Sequence, residues 1–299
     1  MSSNIRTAAA LGLFDGVHLG HRAVLAAAAK QTHLIPAAFT FQPELTSVKG
    51  AAGFLYPASV KAQILREECG MKEIFAPDFG EIAGLSGEAF VRDILCGKMQ
   101  AAKAVCGRDF RFGREASCDV RDLVKYGIRY GIEVEIVEDV TECGEKIASS
   151  RIRELLQSGK LVQANALLGA PYRMTAQVVR GASLGHTIGF ATINQYFAQG
   201  QLVPHFGVYA SETLTPDGWY ASVTNIGRKP TVDYGGQPLA ETHILDFSGN
   251  LYGQELTVML TDFLRDEQKF SSLDALKEQL HADTAQRRQL SGNYHRLNT

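Results

Sequence analysis

The sequence predicts two domains of different fold class, an α/β domain over residues 1–168 and a β domain over residues 169–299. In the first part, short apolar runs alternate with helical patterns, and this alternation is typical of right-handed βαβ crossovers in a parallel sheet. In the second part, strand-like segments follow one another with turn residues and no helix between them, which indicates an antiparallel β-barrel. A chain of 299 residues is long enough for two such domains.

The first domain is expected to begin with a buried strand. The apolar run from Ala8 to Phe14 predicts this strand, Asp15-Gly16 ends it, and an Ala-rich helix follows from Leu19 to Lys30. Further strands are expected at Ile35–Phe41, Glu73–Phe75, Lys103–Cys106 and Glu133–Val137. Further helices are expected at Ser59–Glu68 with Ser59 as its cap, at Ser86–Leu95, at Val120–Tyr130 and from Ser149 onward. The arrangement is Rossmann-like, and ligands of such sheets bind at the carboxyl ends of the strands.

The second domain is expected to consist of short strands and one C-terminal helix. The predicted strands are Met174–Val179, Phe206–Glu212, Trp219–Ile226, Glu241–Phe247 and Glu255–Leu264. Turn residues separate several of them, at Pro216-Asp-Gly218, Gly235-Gly236 and Ser248-Gly-Asn250. The segment Ser271–His281 predicts an amphipathic helix with Leu273, Leu276 and Leu280 on one face.

Composition narrows the function classes. The chain has 30 basic and 32 acidic residues, so no global field argues for a nucleic-acid or membrane partner. Its first ten residues lack a basic segment followed by an apolar one, and no apolar run approaches the roughly 18 residues of a membrane span. Its five cysteines show no Cys-x-x-Cys spacing, which predicts reduced thiols and no zinc site. We therefore expect a cytoplasmic protein, and the oligomeric state stays open.

Two histidines mark the start of the first helix. His18 and His21 lie three residues apart, so both imidazoles can share one helix face, and Gly20 removes a side chain between them. This position lies beyond the carboxyl end of a strand and at a helix N-terminus, where backbone N–H groups favour a phosphate. Taken alone, the pair would also fit helix capping or ordinary surface polarity.

The surrounding segment Gly12-Leu-Phe-Asp-Gly-Val-His-Leu-Gly-His21 resembles the His-x-Gly-His signature of nucleotidyltransferases. It is more similar still to the bacterial bifunctional riboflavin kinase/FAD synthetase family. The resemblance implies transfer of an adenylyl group from ATP to FMN with release of pyrophosphate. It also implies catalytic roles for the two histidines and phosphate contacts from the loop, at Gly12, Phe14, Asp15, Gly16 and Gly20.

A second motif occurs late in the first domain. Ser149 and Ser150 open a helix whose first two turns carry Arg151 and Arg153. Cations at a helix N-terminus oppose the macrodipole unless an anion lies between them, and a triphosphate would supply that anion. The family has a similar Ser-Ser/Thr-x-x-Arg motif, which implies a catalytic role for Arg153 and phosphate contacts for the other three. An ordinary serine-capped surface helix is the alternative.

The loop Gly107–Gly113 combines glycines with aromatic residues after a strand, which suggests a flat apolar surface for a ring system. The family has a similar Gly-x-Asp-Phe-Arg-Phe-Gly element. The resemblance implies that Asp109, Phe110 and Phe112 contribute to the flavin and adenine sites. Alternatively, the two phenylalanines fill the core.

The second domain resembles the riboflavin kinase module through several motifs in the same order, at Gly181–Asn194, Asn225–Thr231, Glu241–Phe247, Leu251–Leu256 and Phe263–Phe270. The glycine-rich part implies ATP phosphate contacts at Gly181, Gly185, His186, Thr187 and Gly189. The last motif implies flavin contacts at Arg265, Glu267 and Phe270, although a solvated charge run is the alternative there.

Thr192 and Asn194 lie two residues apart on an extended segment, so they share a face and can offer two neutral oxygens to Mg²⁺. The resemblance implies this ligation and assigns Glu241 as the general base for the ribityl hydroxyl that attacks the γ-phosphorus. Strand propensity for Thr192 and an exposed strand carboxylate for Glu241 are the alternatives for each residue alone.

Four positions depart from the family pattern. Ala191 stands where proline normally precedes the threonine, and His186 replaces a usual arginine. Glu44 stands where a phosphate-facing histidine is expected, and Cys118 stands in place of a glycine. These departures leave open that one activity is weak or lost.

We therefore expect an enzyme that phosphorylates riboflavin to FMN and adenylylates FMN to FAD, with MgATP used twice and FMN and FAD as products or bound ligands. Nucleic acid and membrane are not expected as partners. The alternatives are a flavin- or nucleotide-binding protein without turnover, and a nucleotidyltransferase for another phosphorylated metabolite.

Overall fold

The computed structural model describes residues 6–41, 53–180, 190–228 and 237–290. Contacts within it divide the chain into two compact units, Met1–Ser149 and Ser150–Thr299. This division falls at the beginning of a helix, ahead of the boundary at residue 168 that the change of pattern predicts, and that boundary stays a prediction. Among the described residues, no helix combines the length and apolar character needed to cross a membrane.

The first unit is built on a five-stranded parallel sheet with the order β3-β2-β1-β4-β5. The strands are β1 (Thr7–Leu11), β2 (Ile35–Phe39), β3 (Glu73–Phe75), β4 (Ala101–Gly107) and β5 (Glu133–Val137). The helices are α1 (Leu19–Ala29), α2 (Ala58–Glu67), α3 (Phe79–Ile82), α4 (Gly87–Ala89) and α5 (Val120–Tyr130). A two-stranded hairpin follows, with β6 (Thr141–Glu142) and β7 (Glu145–Lys146).

The strand order positions the site. The chain passes from β1 outward to β2 and β3, and it then returns to place β4 on the other side of β1. This reversal makes a topological switch point between β1 and β4, and ligands of open α/β sheets bind in the crevice at such a point. The loops that follow β1 and β4 therefore border the expected ligand crevice.

Helix α2 and strand β1 differ from their predictions. Helix α2 begins at Ala58 after Pro57 and has no side-chain cap, because the fixed φ of proline starts the helix one residue before Ser59. Ser59 therefore lies in the first turn and does not cap the helix. Strand β1 ends at Leu11, because the chain turns through a positive φ of 51° at Phe14.

The helix predicted to start at Ser86 does start there, since the Ser86 hydroxyl accepts a hydrogen bond from the Ala89 N–H at 3.2 Å. After Ala89 it continues as a wider π-helical segment over Phe90–Lys98, past the predicted end at Leu95. Its buried side chains join those of the sheet in one core.

The second unit begins with the helices α6 (Ser149–Gln157, of which Ser149 belongs to the first unit) and α7 (Leu161–Leu168). A six-stranded antiparallel sheet follows, with the order β8-β13-β10-β11-β12-β9. The strands are β8 (Tyr172–Gln177), β9 (Thr192–Tyr196), β10 (Gly207–Thr215), β11 (Gly218–Arg228), β12 (Pro238–Ile244) and β13 (Glu255–Arg265). Val179 pairs with Asn194, so the two edges of the sheet meet and the sheet curls into a barrel. The predicted fold class is confirmed, although β9 was not among the predicted strands.

A row of buried hydroxyl groups fixes the register of the barrel strands. Ser211 contacts Ser222 at 2.9 Å and Thr224 at 2.8 Å, and Thr224 contacts Thr242 at 2.9 Å. All four side chains are fully buried. Because neighbouring residues on a strand point to opposite faces, this row leaves Asn225 and the residues beside it on the other face of the sheet.

The C-terminal helix α8 (Leu273–Gln289) is longer than predicted and packs differently. Leu273, on the expected apolar face, is 55% exposed, whereas Asp283 and Arg287 are the buried residues. Asp283 accepts two hydrogen bonds from the Arg265 guanidinium at 2.9 and 2.8 Å. The helix is therefore anchored through ionic groups near its end, which a count of apolar positions could not reveal.

Candidate functional site

The loop after β1 is tightly coiled. Phe14, Gly16 and Val17 have positive φ angles of 51°, 82° and 42°. A Cβ atom at Gly12 would lie 2.8 Å from the Phe14 ring, so glycine leaves room for the aromatic side chain. The Asp15 carboxylate is buried and accepts a hydrogen bond from the Leu55 N–H at 2.9 Å. These contacts hold the loop in one conformation at the switch point.

The structure brings the two histidines together. His18 is the N-cap of α1, and its Nδ1 accepts a hydrogen bond from the backbone N–H of His21 at 3.3 Å. The two rings stack with centroids 3.6 Å apart. A Cβ atom at Gly20 would lie 3.1 Å from Cε1 of His18, so this glycine makes space for the ring.

Both imidazoles favour the neutral form, because the pKa of each lies below the ordinary histidine value. Burial lowers the pKa of His18 to about 4. Burial, His18 and then the Lys61 ammonium hold the pKa of His21 well below its usual range. Since Nδ1 of His18 accepts a hydrogen bond, its proton lies on Nε2. Nδ1 of His21 is buried and has no hydrogen-bond partner among the described residues, and such a polar atom is expected where a ligand is to bind.

Lys61 is a site residue that the sequence reasoning missed. Its side chain is buried, and Nζ donates to the Leu13 carbonyl at 3.1 Å, to Oγ1 of Thr40 at 2.9 Å and to the Phe41 carbonyl at 2.5 Å. The signal was present, because Lys61 shares the buried face of α2 with Ile64 and Leu65. A lysine on an apolar helix face needs polar partners inside the protein. Here they are the ends of β1 and β2, next to the histidines.

The loop after β4 lies on the other side of the switch point. The Asp109 carboxylate pairs with Lys146 at 2.9 Å, and Lys146 pairs with Asp139 at 2.7 Å. Burial is the main cause of the low pKa of His18, which Asp109 opposes and Lys146 reinforces. The charges of Asp109 in this loop and of Lys146 in β7 therefore influence the pKa of His18.

The two aromatic residues of this loop have different environments. Phe110 and Phe112 stack with centroids 5.8 Å apart. Phe112 is buried and packs against Phe90 with centroids 5.4 Å apart, and its backbone pairs with Cys118. Phe112 thus fills the core, and Phe110 is the partly buried member that can present a ring face.

Ser149 connects the first residue of α6 to the histidine loop. Its hydroxyl donates to the Asp15 carbonyl at 2.8 Å. Ser150, Arg151 and Arg153 follow in the first turns of α6 and belong to the second unit. The two arginines are partly buried and Ser150 is exposed.

In the second unit, three polar residues form a row across three neighbouring strands. Glu241 of β12 lies opposite Asn194 of β9 on one side and opposite Asn225 of β11 on the other. Directly opposite residues of antiparallel strands point to the same face. Thr192, two residues before Asn194, shares that face. The structure therefore places the two predicted metal ligands and the predicted base side by side.

Glu267 lies over the same row. Its Oε1 is 3.5 Å from Nδ2 of Asn225, and it occupies the space in which a Cβ atom at Gly227 would lie. Asn225 thus joins the candidate site, although the sequence reasoning gave it no role beyond its place in a motif. Glycine at position 227 is required for the close approach of the carboxylate.

Arg265 has a structural task in this conformation. Its guanidinium group forms the bidentate pair with Asp283 and lies 5.9 Å from the centre of the Phe270 ring. A direct flavin contact by Arg265 or Phe270 stays a prediction. Six further residues of interest lie outside the described residues, namely Glu44, Gly181, Gly185, His186, Thr187 and Gly189.

Two residues of this row carry oxygen donors of the kind that a magnesium ion prefers. Thr192 and Asn194 offer neutral oxygens, and they lie on the same face of the sheet as Glu241. Mg²⁺ prefers hard oxygen ligands and binds with few protein groups when a nucleotide supplies the rest. The donor set suits a nucleotide-bound Mg²⁺ better than a metal held by protein ligands alone.

Two family models match this chain, one over the part with the parallel sheet and one over the part with the barrel. The FAD synthetase family model matches residues 1–151, and the riboflavin kinase family model matches residues 168–291. A solved protein from Streptococcus pneumoniae, described as a macrolide-efflux protein, is similar with a TM-score of 0.84 and 29% identity, over 97% of this chain and 96% of its own. That description refers to the protein from Streptococcus pneumoniae.

Curated relatives match along nearly the whole length. The bifunctional riboflavin kinase/FMN adenylyltransferase of Escherichia coli strain K12 is 36% identical over 290 residues, which is 94% of this chain and 92% of that protein. The protein of the same name from Listeria monocytogenes is 34% identical over 289 residues, or 94% and 91% of the two chains. With both family models matched in series and this identity over both halves, the chain belongs to the bifunctional riboflavin kinase/FMN adenylyltransferase family.

Proposed function

We propose that the chain phosphorylates riboflavin to FMN with one ATP and transfers the adenylyl group of a second ATP to FMN, giving FAD and pyrophosphate. The observation that supports this best is the pair of family matches in series. The FAD synthetase match covers the parallel sheet with its histidine pair, and the riboflavin kinase match covers the barrel with its polar row.

Adenylyl transfer needs no general base, because the FMN phosphate is already an anionic nucleophile. One of its oxygens forms the new bond to the α-phosphorus, while the bond to the bridging oxygen breaks and pyrophosphate leaves with the electron pair. Neutral His18 donates from Nε2, and neutral His21 donates one hydrogen bond, to oxygens on which charge builds up. Arg153 adds a permanent cation for the leaving pyrophosphate.

The phosphate groups are held by the loop and helix starts. In this proposal they contact the backbone and side chains of Gly12, Phe14, Asp15, Gly16, Gly20, Ser149, Ser150 and Arg151. The N-terminus of α1 contributes unpaired N–H groups and a positive dipole end. Lys61 bonds residues that follow β1 and β2, and its charge adds to burial and to His18 in lowering the pKa of His21.

Riboflavin phosphorylation takes place on the polar row of the barrel. Glu241 accepts the proton of the ribityl hydroxyl as its oxygen attacks the γ-phosphorus of ATP. Thr192 and Asn194 would hold Mg²⁺, which disperses the charge of the phosphoryl group when bound. Glu267, fixed over Asn225, orients the flavin, together with Arg265 and Phe270. In the first unit, Asp109 and Phe110 orient FMN. Phe112 packs against Phe110 from the core.

A cytoplasmic location is part of the same proposal. In the part of the chain that the structure describes, the cysteines at positions 69, 96, 106, 118 and 143 form no disulfide bond, and a reducing compartment is consistent with this.

The proposal is tested by incubating the purified chain with riboflavin and MgATP and separating the flavins by chromatography. FMN should appear first and FAD later, with one pyrophosphate released per FAD. A chain that binds flavin but forms neither product would be a binding protein. A chain that forms no FMN from riboflavin, yet transfers a nucleotidyl group to a different phosphorylated acceptor, would make the barrel an accessory domain.

A further inference from the structure

His243 makes a contact at the edge of the polar row that the proposed mechanism does not use. It lies on β12 two residues after Glu241, and it is directly opposite Thr192 of β9. Its Nδ1 is 2.8 Å from the carbonyl oxygen of Ala191. Because a carbonyl oxygen only accepts, Nδ1 carries the proton and donates it.

The bond fixes a peptide unit at the start of a strand. Strand β9 begins at Thr192, so the Ala191 carbonyl lies just outside the ladder with β12. Ala191 is exposed and, unlike proline, has no ring to restrict its φ angle. The orientation of the peptide between Ala191 and Thr192 influences the direction of the Cα–Cβ bond of Thr192. Holding this carbonyl therefore orients the Thr192 hydroxyl.

Aromatic packing holds the His243 ring in place. Phe190 is buried and lies against His243 with ring centroids 5.1 Å apart. On its other side, Phe190 contacts His281 of α8 in an edge-to-face geometry at 4.9 Å. The imidazole is thus clamped between its backbone acceptor and a ring, as expected for a side chain that fixes a neighbouring segment.

We propose that His243 is a positioning residue for the Thr192–Asn194 pair, and that it presents both oxygens to the metal–nucleotide complex by bonding the Ala191 carbonyl. This inference rests on the proposed kinase function. In this chain the histidine bond supplies the restraint that a proline ring at position 191 would otherwise give.

Two substitutions separate the hydrogen bond from the bulk of the ring. In His243→Asn, the amide nitrogen branches from Cγ as Nδ1 does, so it can donate to the same carbonyl. In His243→Gln, the nitrogen lies one bond further out and cannot reach the same position. His281→Gln is the matched control, because it removes the ring on the other side of Phe190 without touching the Ala191 carbonyl.

The first measurement is calorimetric binding of MgADP to the full chain, fitted with two classes of site, and the class that His21→Ala leaves unchanged is assigned to the barrel. His243→Gln should weaken binding about fivefold, the change expected for one neutral hydrogen bond, whereas His243→Asn and His281→Gln should stay within about twofold. Ala191→Pro added to His243→Gln should restore part of the binding, because a fixed φ angle at position 191 reduces the number of conformations open to the segment that the lost bond held.

The outcomes distinguish a failure of the proposed kinase function from a failure of the positioning role of His243. If the unsubstituted chain forms no FMN, the proposed kinase function fails and the role of His243 fails with it. If it forms FMN, but the Gln and Asn variants bind MgADP equally, the positioning role alone is refuted. A defect that Ala191→Pro leaves unchanged would show that His243 acts through packing and would also overturn the inference.

Discussion

At the scale of single residues, His18 is a buried side chain and a helix cap, and protonation at low pH would disturb both roles. Its imidazole is buried, and it caps α1 through an unprotonated Nδ1. Protonation would place a charge in a dry site and would also turn the accepting nitrogen into a donor that faces the His21 N–H. The residue therefore functions only in its neutral form, which suits a group that donates a hydrogen bond from Nε2 at pH 7.

The low pKa of His18 predicts how stability depends on pH. The unfolded state takes up a proton near the ordinary histidine pKa of 6.5, whereas the folded state does so only near pH 4. Stability is therefore lost as the pH falls from 6.5 towards 4 and levels off below. Between pH 7 and pH 5, urea denaturation should show a loss of about 2 kcal/mol from this residue.

His18→Asn should reduce this pH dependence, because asparagine is also a good N-cap but does not titrate. His33→Asn is the control, since His33 is exposed and lies outside the site. An unchanged slope in the His18 variant would show that this imidazole is not held neutral by the fold.

Gly87 and Cys118 form a second residue-scale test. A Cβ atom at Gly87 would lie 2.3 Å from Sγ of Cys118, so the cysteine needs a glycine opposite it. Gly87→Ala should lower the free energy of unfolding by about 1–3 kcal/mol through overpacking. Adding Cys118→Ala should recover part of this loss, because it removes the sulfur atom that clashes.

Gly97→Ala serves as the control for helix propensity. A Cβ atom at this position would come no closer than 3.5 Å to its nearest neighbour, an ordinary distance, so this variant should be neutral or slightly stabilising. If Gly87→Ala changed the free energy of unfolding as little as Gly97→Ala, Cys118 would not be closely packed against Gly87. Chemical denaturation of the three variants at one pH makes the comparison.

The residue pattern predicted part of the site and missed part of it. Spacing alone placed His18 and His21 on one face, and the structure stacks them. Lys61 was missed because a single lysine on an apolar face looks like a surface residue until its partners at the ends of two strands are known. Arg265 shows the converse, because its partner Asp283 lies in another element and the charge run gave no sign of it.

At the scale of elements, α8 shows why periodicity can predict a helix without predicting its contact face. The leucine spacing correctly indicated a helix, but Leu273 is exposed and the helix packs through Asp283 and Arg287. Arg287 pairs with Glu212 at 3.5 Å and donates to the Ser211 carbonyl at 3.0 Å. These partners are distant in sequence, so no local pattern encodes them.

Asp283 is expected to be the main anchor of this helix. It is 1% exposed and accepts hydrogen bonds from Arg265 and Gln279. Asp283→Ala leaves the Arg265 guanidinium partly buried without its partner, so the free energy of unfolding should fall by about 3 kcal/mol. Differential scanning calorimetry of the full chain measures the effect.

Asp274→Ala is the matched control in the same helix. Asp274 is exposed in the first turn, where a carboxylate contributes only about 0.3–1 kcal/mol through the helix dipole. Comparable losses for the two variants would contradict the view that α8 is held by its buried ionic end.

At the scale of the whole molecule, fold class was the most predictable property. The parallel sheet and the antiparallel barrel were both predicted from the change in pattern along the chain, whereas the strand order β3-β2-β1-β4-β5 was not. β9 was not predicted as a strand, because its five residues follow a glycine-rich segment and carry mixed polarity. Its pairing with β12 depends on distant residues, and that pairing is what brings Asn194 beside Glu241.

In the proposed function, one chain holds two separate ATP sites, one on the parallel sheet and one on the barrel. Each unit has its own set of polar groups, with the His18–His21 pair at the sheet edge and the Asn194–Glu241 pair on the barrel. If the sites are separate, damage to one should leave the other working, and FMN should pass between molecules through solution.

The most direct measurement combines His21→Ala and Glu241→Gln chains in one reaction with riboflavin and MgATP, followed by chromatography of the flavins. Alone, the first variant should stop at FMN, and the second should make FAD only from supplied FMN. Mixed, the two should form FAD from riboflavin. Loss of both activities in either variant, or a mixture that yields no FAD although each variant keeps its own step, would contradict the account.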